Sequence, residues 1–463
     1  MNKIFFAVTC ASILTSCRML IYNAPDITDH RLFHKKVLDK SDNPSHIARD
    51  IRVNEIPDEQ LWAISKNHES YVTPMSADEF MKSIGTLSLT IIKNDTIVFE
   101  RYYKGRKPEE IQTVFSITKS FVSALTGIAI AEGKIKSIDQ PVSDFIPEFS
   151  KGMLAKITIQ HLLNMTSGLN EADYKNTVKL GLFYYAKDQN KMVRKLKSRY
   201  EPGTHFQYSS MSTQLLGMCL EKATGSLLQD YFREKIWDPM GMEFSGSFSL
   251  DRRGHAKAFG GIATTPIDLA KFGLMYLHDG KWNGKQIVPE DWVKLSSVRD
   301  TLNGRSSAYG NCFWQDTYPL EDAIHKTDFL AGGYRGQIIY VNPENNTVIV
   351  RTGVREKEVH WGRSLSKLAL FPFENAKTTV PNDQLTASSG WYKNKFGKRM
   401  SFSYAEGKVV IGKENGSTEF QASSPLTFEN KSTGEKVMLH LRRNRVLGFI
   451  LEKGRESYYF SKD

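Results

Sequence analysis

The stretch that most constrains this chain is "SITKSFVSALTGIAIAEG", Ser116 to Gly133. Phe121, Val122, Ala124, Leu125, Ile128, Ala129 and Ile130 set apolar side chains nearly all round a helix. A helix without a polar face must run through an interior, so the rest of the chain has to wrap it. The 463 residues, 40% hydrophobic and 11% aromatic, suffice for that and predict one large domain with an appendage. The head of the helix carries a second message. A spacing of three puts Ser116 and Lys119 on one helical face, so the amine can reach the hydroxyl. Unpaired N–H groups and the positive dipole end at a helix start favour developing negative charge. A Lys there is partly desolvated, which lowers its pKa and makes the neutral amine available as a base. Spacing alone is a weak signal, because Ser364 and Lys367 repeat it in a later amphipathic helix.

Periodicity organises the remainder. After a polar lead-in, "LSLTIIKNDTIVFERYY" (87–103) reads as a hairpin around an Asn-Asp turn. From Ser116 to about Leu370 the pattern is mostly helical, except for a strand pair in "GQIIYVNPENNTVIVRTGV" (336–354) and with a helix at 361–370. Strands near both ends with helices between predict an α+β fold: one sheet assembled from both ends of the segment, with a helical insertion. Beyond Thr379, "MSFSY", "KVVIG", "KVMLHL" and "RVLGFILE" predict a small all-β domain, with sandwich and barrel forms both open. The expected divisions are 1–16, 17–77, 78–379 and 380–463.

The N-terminus, "MNKIFFAVTCASILTSC", has a Lys, a short apolar run and "LTSC" ending at Cys17, the layout of an export signal. Its last four residues resemble the lipobox of bacterial lipoproteins. That resemblance implies acylation of Cys17, residues 1–16 as signal peptide, and a lipid-anchored protein of the bacterial cell envelope. Cys10 would leave with the signal, so Cys219 and Cys312 remain, too few for a disulfide framework; Cys219 reads as a small buried hydrophobe. The net charge of +11 is dispersed among acidic residues, which argues for a solvated face and against nucleic acid as a partner.

Other catalytic plans lack their landmarks. No Gly-x-Ser-x-Gly elbow, Walker A or dinucleotide fingerprint occurs. His30 and His34 have helical ligand spacing but no His-Glu-x-x-His, and read as surface histidines, so no metal or cofactor is expected.

Ordered blocks surround Ser116: "SITKS", "DQPVSDFIPEF" (139–149), "ITIQHLLNMTSGL" (157–169), "EPGTHFQYSS" (201–210) and "AFGGIATTPIDLAKFGLMYLHDGKWNGKQIVPEDWV" (258–293). They resemble the class C β-lactamase and D-alanyl-D-alanine carboxypeptidase superfamily of serine hydrolases over most of 87–370. "YSS" and "GQIIYVNP" look closest to its branch of 6-aminohexanoate-dimer hydrolase and related esterases. The resemblance implies an antiparallel sheet flanked by helices with an all-helical subdomain, and the small C-terminal all-β domain is an addition to it. It implies Ser116 as the acylated nucleophile, Lys119 as its base partner and Tyr208 as a proton relay, with either of the last two as resting base. It also implies an oxyanion hole from the backbone N–H groups of Ser116 and Gln337.

Two departures bear on substrate. Tyr208-Ser209-Ser210 stands where penicillin-recognising members have Tyr-x-Asn, and Ser is too short to replace the amide. Tyr334-Arg335-Gly336 stands where they have Lys-Thr-Gly or His-x-Gly, so the cation for a substrate carboxylate is missing. Neighbours on a strand point to opposite faces, so Arg335 is not expected to replace it. Ser210, Tyr334 and Gly336 are expected substrate-binding residues, and the glycines of "AGGYRGQ" fit either close approach of backbone to substrate, which the resemblance favours, or a tight strand entry. Asp173 and Tyr174 fit either a pocket lining or a solvated loop. The expected activity is hydrolysis of small uncharged or peptide-like esters or amides. A penicillin-interacting enzyme and a non-catalytic binding lipoprotein are the alternatives, and retention of Ser, Lys and Tyr together argues against the second.

Overall fold

The computed structural model describes residues 24–51, 77–173, 177–297, 309–315, 327–355, 361–370, 382–394, 398–405, 408–413, 416–424, 427–442, 445–453 and 456–462. The export segment with Cys10 and Cys17, Tyr174, and residues 371–381 around the expected start of the tail domain lie outside the described residues.

The expected hairpin forms from Thr86–Lys93 (β1) and Thr96–Tyr102 (β2). Its turn residues Asn94 and Asp95 have φ of 46° and 63°, the left-handed pair that suits the twist of a two-residue hairpin and that Asn and Asp tolerate. Phe329–Gly333 (β3), Gln337–Asn342 (β4) and Thr347–Gly353 (β5) follow late in the chain. One eight-stranded sheet has the order Tyr309–Gly310, Phe313–Gln315, β3, β4, β5, β1, β2, Ala48–Arg49. Ile91 opposes Ile349, so the N- and C-terminal parts meet at its centre. Every pair is antiparallel except Ala48–Arg49, which runs parallel to β2.

Both faces of the central strands are buried, which is why they read as apolar runs rather than as clean alternation. Ile338, Tyr340 and Ile349 pack with Leu89, Phe80, Leu365 and Leu368 on one face. Ile339, Val341, Val348 and Val350 face the main core, where the helix Pro266–Leu277 (α3) crosses. A Cβ on Gly273 of α3 would stand 2.6 Å from Val348 Cγ1, so this glycine sets how closely helix and sheet approach.

Through that core runs the helix Ile117–Ala131 (α1), whose residues 117–129 are all buried. Short helices and Ser210–Thr224 (α2) make the helical insertion, and α2 ends at Gly225 with φ 71°. A second, four-stranded sheet has the order His34–Leu38, Gly246–Leu250, Ile262–Thr264, Gln112–Thr113. The early segment is thus woven into both sheets. His30 differs from expectation: it is buried, with Nδ1 3.2 Å from Ile27 O, and burial lowers its pKa to about 4.

The tail strands close into an eight-stranded antiparallel barrel from Gly390–Lys393 to Glu456–Lys462, sealed where Tyr392 opposes Lys462. Its interior is filled by Tyr392, Phe402, Phe449, Phe460 and aliphatic neighbours. Among the described residues, closure leaves no free barrel edge for pairing with another chain.

Candidate active site

The approach to Ser116 is held from both sides. Gln112–Thr113 pairs with Ile262–Thr264, and Val114 N donates to Ile262 O at 3.0 Å. Phe115 then turns the chain with φ 48°, a left-handed conformation that costs a bulky residue about 1–3 kcal/mol and persists only where its surroundings enforce it. Its buried ring meets the Tyr334 ring edge-on at 5.6 Å. Ser116, at φ −66° and ψ −10°, occupies the N-cap of α1. Its N–H therefore belongs to the helix start, where donors have no intrahelical acceptor.

Lys119 lies one turn into α1 and is 1% exposed. Its Nζ is 2.9 Å from Ser116 Oγ, 3.2 Å from Ser210 Oγ and 2.9 Å from Phe259 O. Burial lowers its pKa to about 8, against the opposing pull of Asp173 and Cys312. Burial alone does not single this lysine out. Lys257 is as deeply buried, with its pKa lowered to about 7, yet its amine bonds Tyr184 O and lies 3.8 Å above the Phe33 ring.

Tyr208 precedes α2 and is buried, its ring stacked at 5.7 Å on Trp314 and edge-on to Tyr309 at 5.6 Å. The Lys119 amine stands 5.1 Å from the Tyr208 ring centre. Ser116, Lys119, Tyr208 and Ser210 thus converge, although 91 positions separate Lys119 from Ser210.

Other expected residues are placed differently. Tyr334-Arg335-Gly336 is the turn between β3 and β4, not part of a strand. Tyr334 is half exposed at the rim beside Phe115. Arg335, at φ 65°, donates to Pro25 O and Val354 O at 2.9 and 2.8 Å and faces Asp26. Gly336 packs against Arg351: its carbonyl accepts from the guanidinium at 2.6 Å, and a Cβ there would stand 2.2 Å from it. Gln337 is fully buried, its side chain bonded with Gln112, Tyr334 O and Gly353 O. Gly333, its partner across the hairpin, is the residue against Ser116: an added Cβ would stand 2.3 Å from Val114 O and 3.4 Å from Ser116 N. Ser364 is buried in the helix Trp361–Leu370, among the elements on the opposite side of the sheet from α1.

Sequence reasoning left Asp173 undecided. The structure bonds its carboxylate to Ser210, with Oδ1 accepting from Ser210 N at 2.9 Å and Oδ2 from Ser210 Oγ at 2.6 Å. Its position four residues after "TSGL", and so close to a recognisable block, was the available signal.

A buried amine on a helix-start hydroxyl, set beneath a sheet of this topology, makes the chain a hydrolase of the serine β-lactamase fold. A family model described as Beta-lactamase matches residues 76–358, more than half of the chain, and the protein belongs to that family. The 6-aminohexanoate-dimer hydrolase of Paenarthrobacter ureafaciens is 22% identical over 287 residues, 58% of this chain and 72% of that one. The N-acetylmuramyl-L-alanine amidase of Bacillus subtilis (strain 168) is 24% identical over 241 residues, 48% of this chain and 54% of that one. A solved structure of a Bacillus anthracis protein named for the 6-aminohexanoate-dimer hydrolases superposes with a TM-score of 0.63 at 21% identity, covering 74% of this chain and 92% of that one.

Proposed function

We propose that this protein cleaves ester or amide bonds of small uncharged or peptide-like substrates through an acyl-enzyme on Ser116. The observation that carries the reading is the 2.9 Å contact of the fully buried Lys119 amine with Ser116 Oγ. An ordinary lysine is almost wholly protonated at neutral pH. With its pKa near 8, about a tenth of Lys119 is the free amine at pH 7 and can take the serine proton. Ser116 Oγ then bonds the carbonyl carbon, and the oxyanion meets the Ser116 N–H and the Gly333 end of β3, in place of Gln337. The leaving alcohol or amine regains a proton through Lys119 and Tyr208, and water splits the acyl ester by the reverse path.

The substrate class follows from charge. β3, "FLAGG", offers no Lys, Arg or His, and Arg335 is engaged elsewhere. A carboxylated substrate would lack a charge-assisted hydrogen bond worth about 1.5–3 kcal/mol. Two relatives are named for cleaving a 6-aminohexanoate dimer and for an amidase activity, which supports including amides.

Intact mass after fluorophosphonate treatment should show one adduct, mapped to Ser116, with a labelling rate that rises with pH through about 8 as Lys119 loses its proton. An adduct at another residue, or no adduct, refutes the nucleophile. For the substrate class, catalytic efficiency on a short-chain nitrophenyl ester should exceed that on nitrocefin by at least about tenfold. Efficient nitrocefin turnover would favour the penicillin-interacting alternative.

A further inference from the structure

We infer that Asp173 is a positioning residue for the proposed reaction, fixing the direction of the hydrogen-bond chain that ends at Ser116 so that the free amine of Lys119 must aim its lone pair at the Ser116 hydroxyl. The inference rests on the acyl-enzyme reading and adds a residue that reading does not use.

A neutral lysine amine has two hydrogens to give and one lone pair. Lys119 has three close oxygens: Phe259 O, Ser210 Oγ and Ser116 Oγ. A carbonyl oxygen only accepts, so Phe259 O takes one hydrogen. A hydroxyl can do either, so without a further constraint Ser210 could turn its own hydrogen toward Lys119 and occupy the lone pair, leaving the amine unable to act as base.

Asp173 removes that freedom. Its Oδ2 lies 2.6 Å from Ser210 Oγ and its Oδ1 2.9 Å from Ser210 N, a two-point grip on one residue at the start of α2. The carboxylate form addresses both donors, and Ser210 is left with only lone pairs for Lys119. The second amine hydrogen goes to Ser210, and the remaining lone pair faces Ser116. Asp173 N also donates to Tyr208 O at 3.0 Å, which ties the same loop to the third member of the group. Burial raises the Asp173 carboxyl above the usual range, while the Lys119 charge and the two Ser210 bonds oppose the rise.

The titratable groups facing Lys119 are Asp173, Tyr208 and Cys312. Burial lifts the Cys312 thiol to about 12, so it stays neutral across the working range. Asp173 is then the anion whose removal would lower the Lys119 pKa further.

The test compares Asp173→Asn, Ser210→Ala and the double variant, using the fluorophosphonate labelling rate at Ser116 and kcat and KM for a nitrophenyl ester. Asn keeps an acceptor for Ser210 N but presents N–H donors to Ser210 Oγ, which reverses the chain. Asp173→Asn should lose about a hundredfold in kcat with KM within about threefold, and the rise of labelling with pH should move to lower pH. In the Ser210→Ala background the same substitution should cost less than about threefold, because the connecting hydroxyl is gone. Equal costs in both backgrounds with an unmoved pH profile mark a structural role and overturn the inference. If Asp173→Asn does not yield folded protein, Ser210→Ala decides: it should lose at least tenfold in kcat, and a parental kcat overturns the inference. Ser116 labelling of the parent separates the readings, because failure there sinks the nucleophile, whereas parental labelling in Asp173→Asn sinks only this proposal.

Discussion

Ester turnover is expected to vanish in the Ser116→Ala protein and to fall by about three orders of magnitude in Lys119→Met, within the range of a lost general base. The second loss is the more informative. Met fills the volume of the lysine stem but offers neither lone pair nor charge, so Ser116 keeps its position and loses its proton acceptor. Phe259 O and Ser210 Oγ lose a donor, and Asp173 loses the cation beside it. An uncompensated buried charge is costly, so Lys119→Met should unfold at lower denaturant by about 2 kcal/mol or more. Adding Asp173→Asn should restore part of that stability and none of the activity. Denaturant titrations beside nitrophenyl ester kinetics check both halves. A Lys119→Met protein that retains more than a tenth of parental turnover would remove the amine from the mechanism.

The second large effect is expected at Gly333. An added Cβ would lie 2.3 Å from Val114 O, a backbone atom that cannot swing aside, so β3 or the turn into Ser116 has to shift. Gly333→Ala should therefore lower kcat/KM by at least a hundredfold, the usual cost of losing an oxyanion donor, and stability by about 1–3 kcal/mol. Gly332→Ala is the control. Its Cβ would meet the Trp314 ring at 3.3 Å, a side chain that has to shift by only a few tenths of an ångström rather than a fixed backbone atom, and the activity loss should stay within about fivefold. Comparable losses at both glycines would place the effect in general strain on β3 rather than at the oxyanion.

The two substitutions also mark where the sequence is easy and hard to read. The all-round apolar character of α1 and the Ser116–Lys119 spacing are local, and both survive in the structure as a buried helix with a 2.9 Å contact at its head. The 94–95 hairpin was legible for the same reason, since Asn-Asp carries its own turn geometry. Reading failed where one residue of register matters. In "LAGGYRGQ" the strand ends at Gly333 and the next three residues turn, so residues placed on a strand by pattern, Tyr334 and Gly336, fall on a hairpin tip. Nothing local says which glycine meets Ser116, because that is set by Val114 more than 200 positions earlier. Asp173 was hard for a related reason: its partner Ser210 lies 37 positions away. The barrel was half visible. Strand signals at 400–404, 408–412, 436–441 and 445–452 fall on strands, but closure depends on the pairing of Tyr392 with Lys462, which no single segment announces.

The pairing of β1 with β5 bears on the order in which this chain can acquire its structure on the ribosome. β1 is synthesised early, yet its neighbour at residues 347–353 emerges some 250 positions later, after the whole helical insertion. Until then β1 lacks the strand that pairs along its inner edge, although Phe80 on one face and α3 on the other are synthesised before β5; an unpaired apolar edge of this kind aggregates or recruits a chaperone. The barrel imposes no such wait. Nearly all its pairings join consecutive strands within residues 390–462, so it can complete its own ladder without the rest. A mutation in β5 would therefore act twice: it removes core contacts from the folded molecule, and it prolongs the wait of a segment translated long before it, lowering the yield of folded protein.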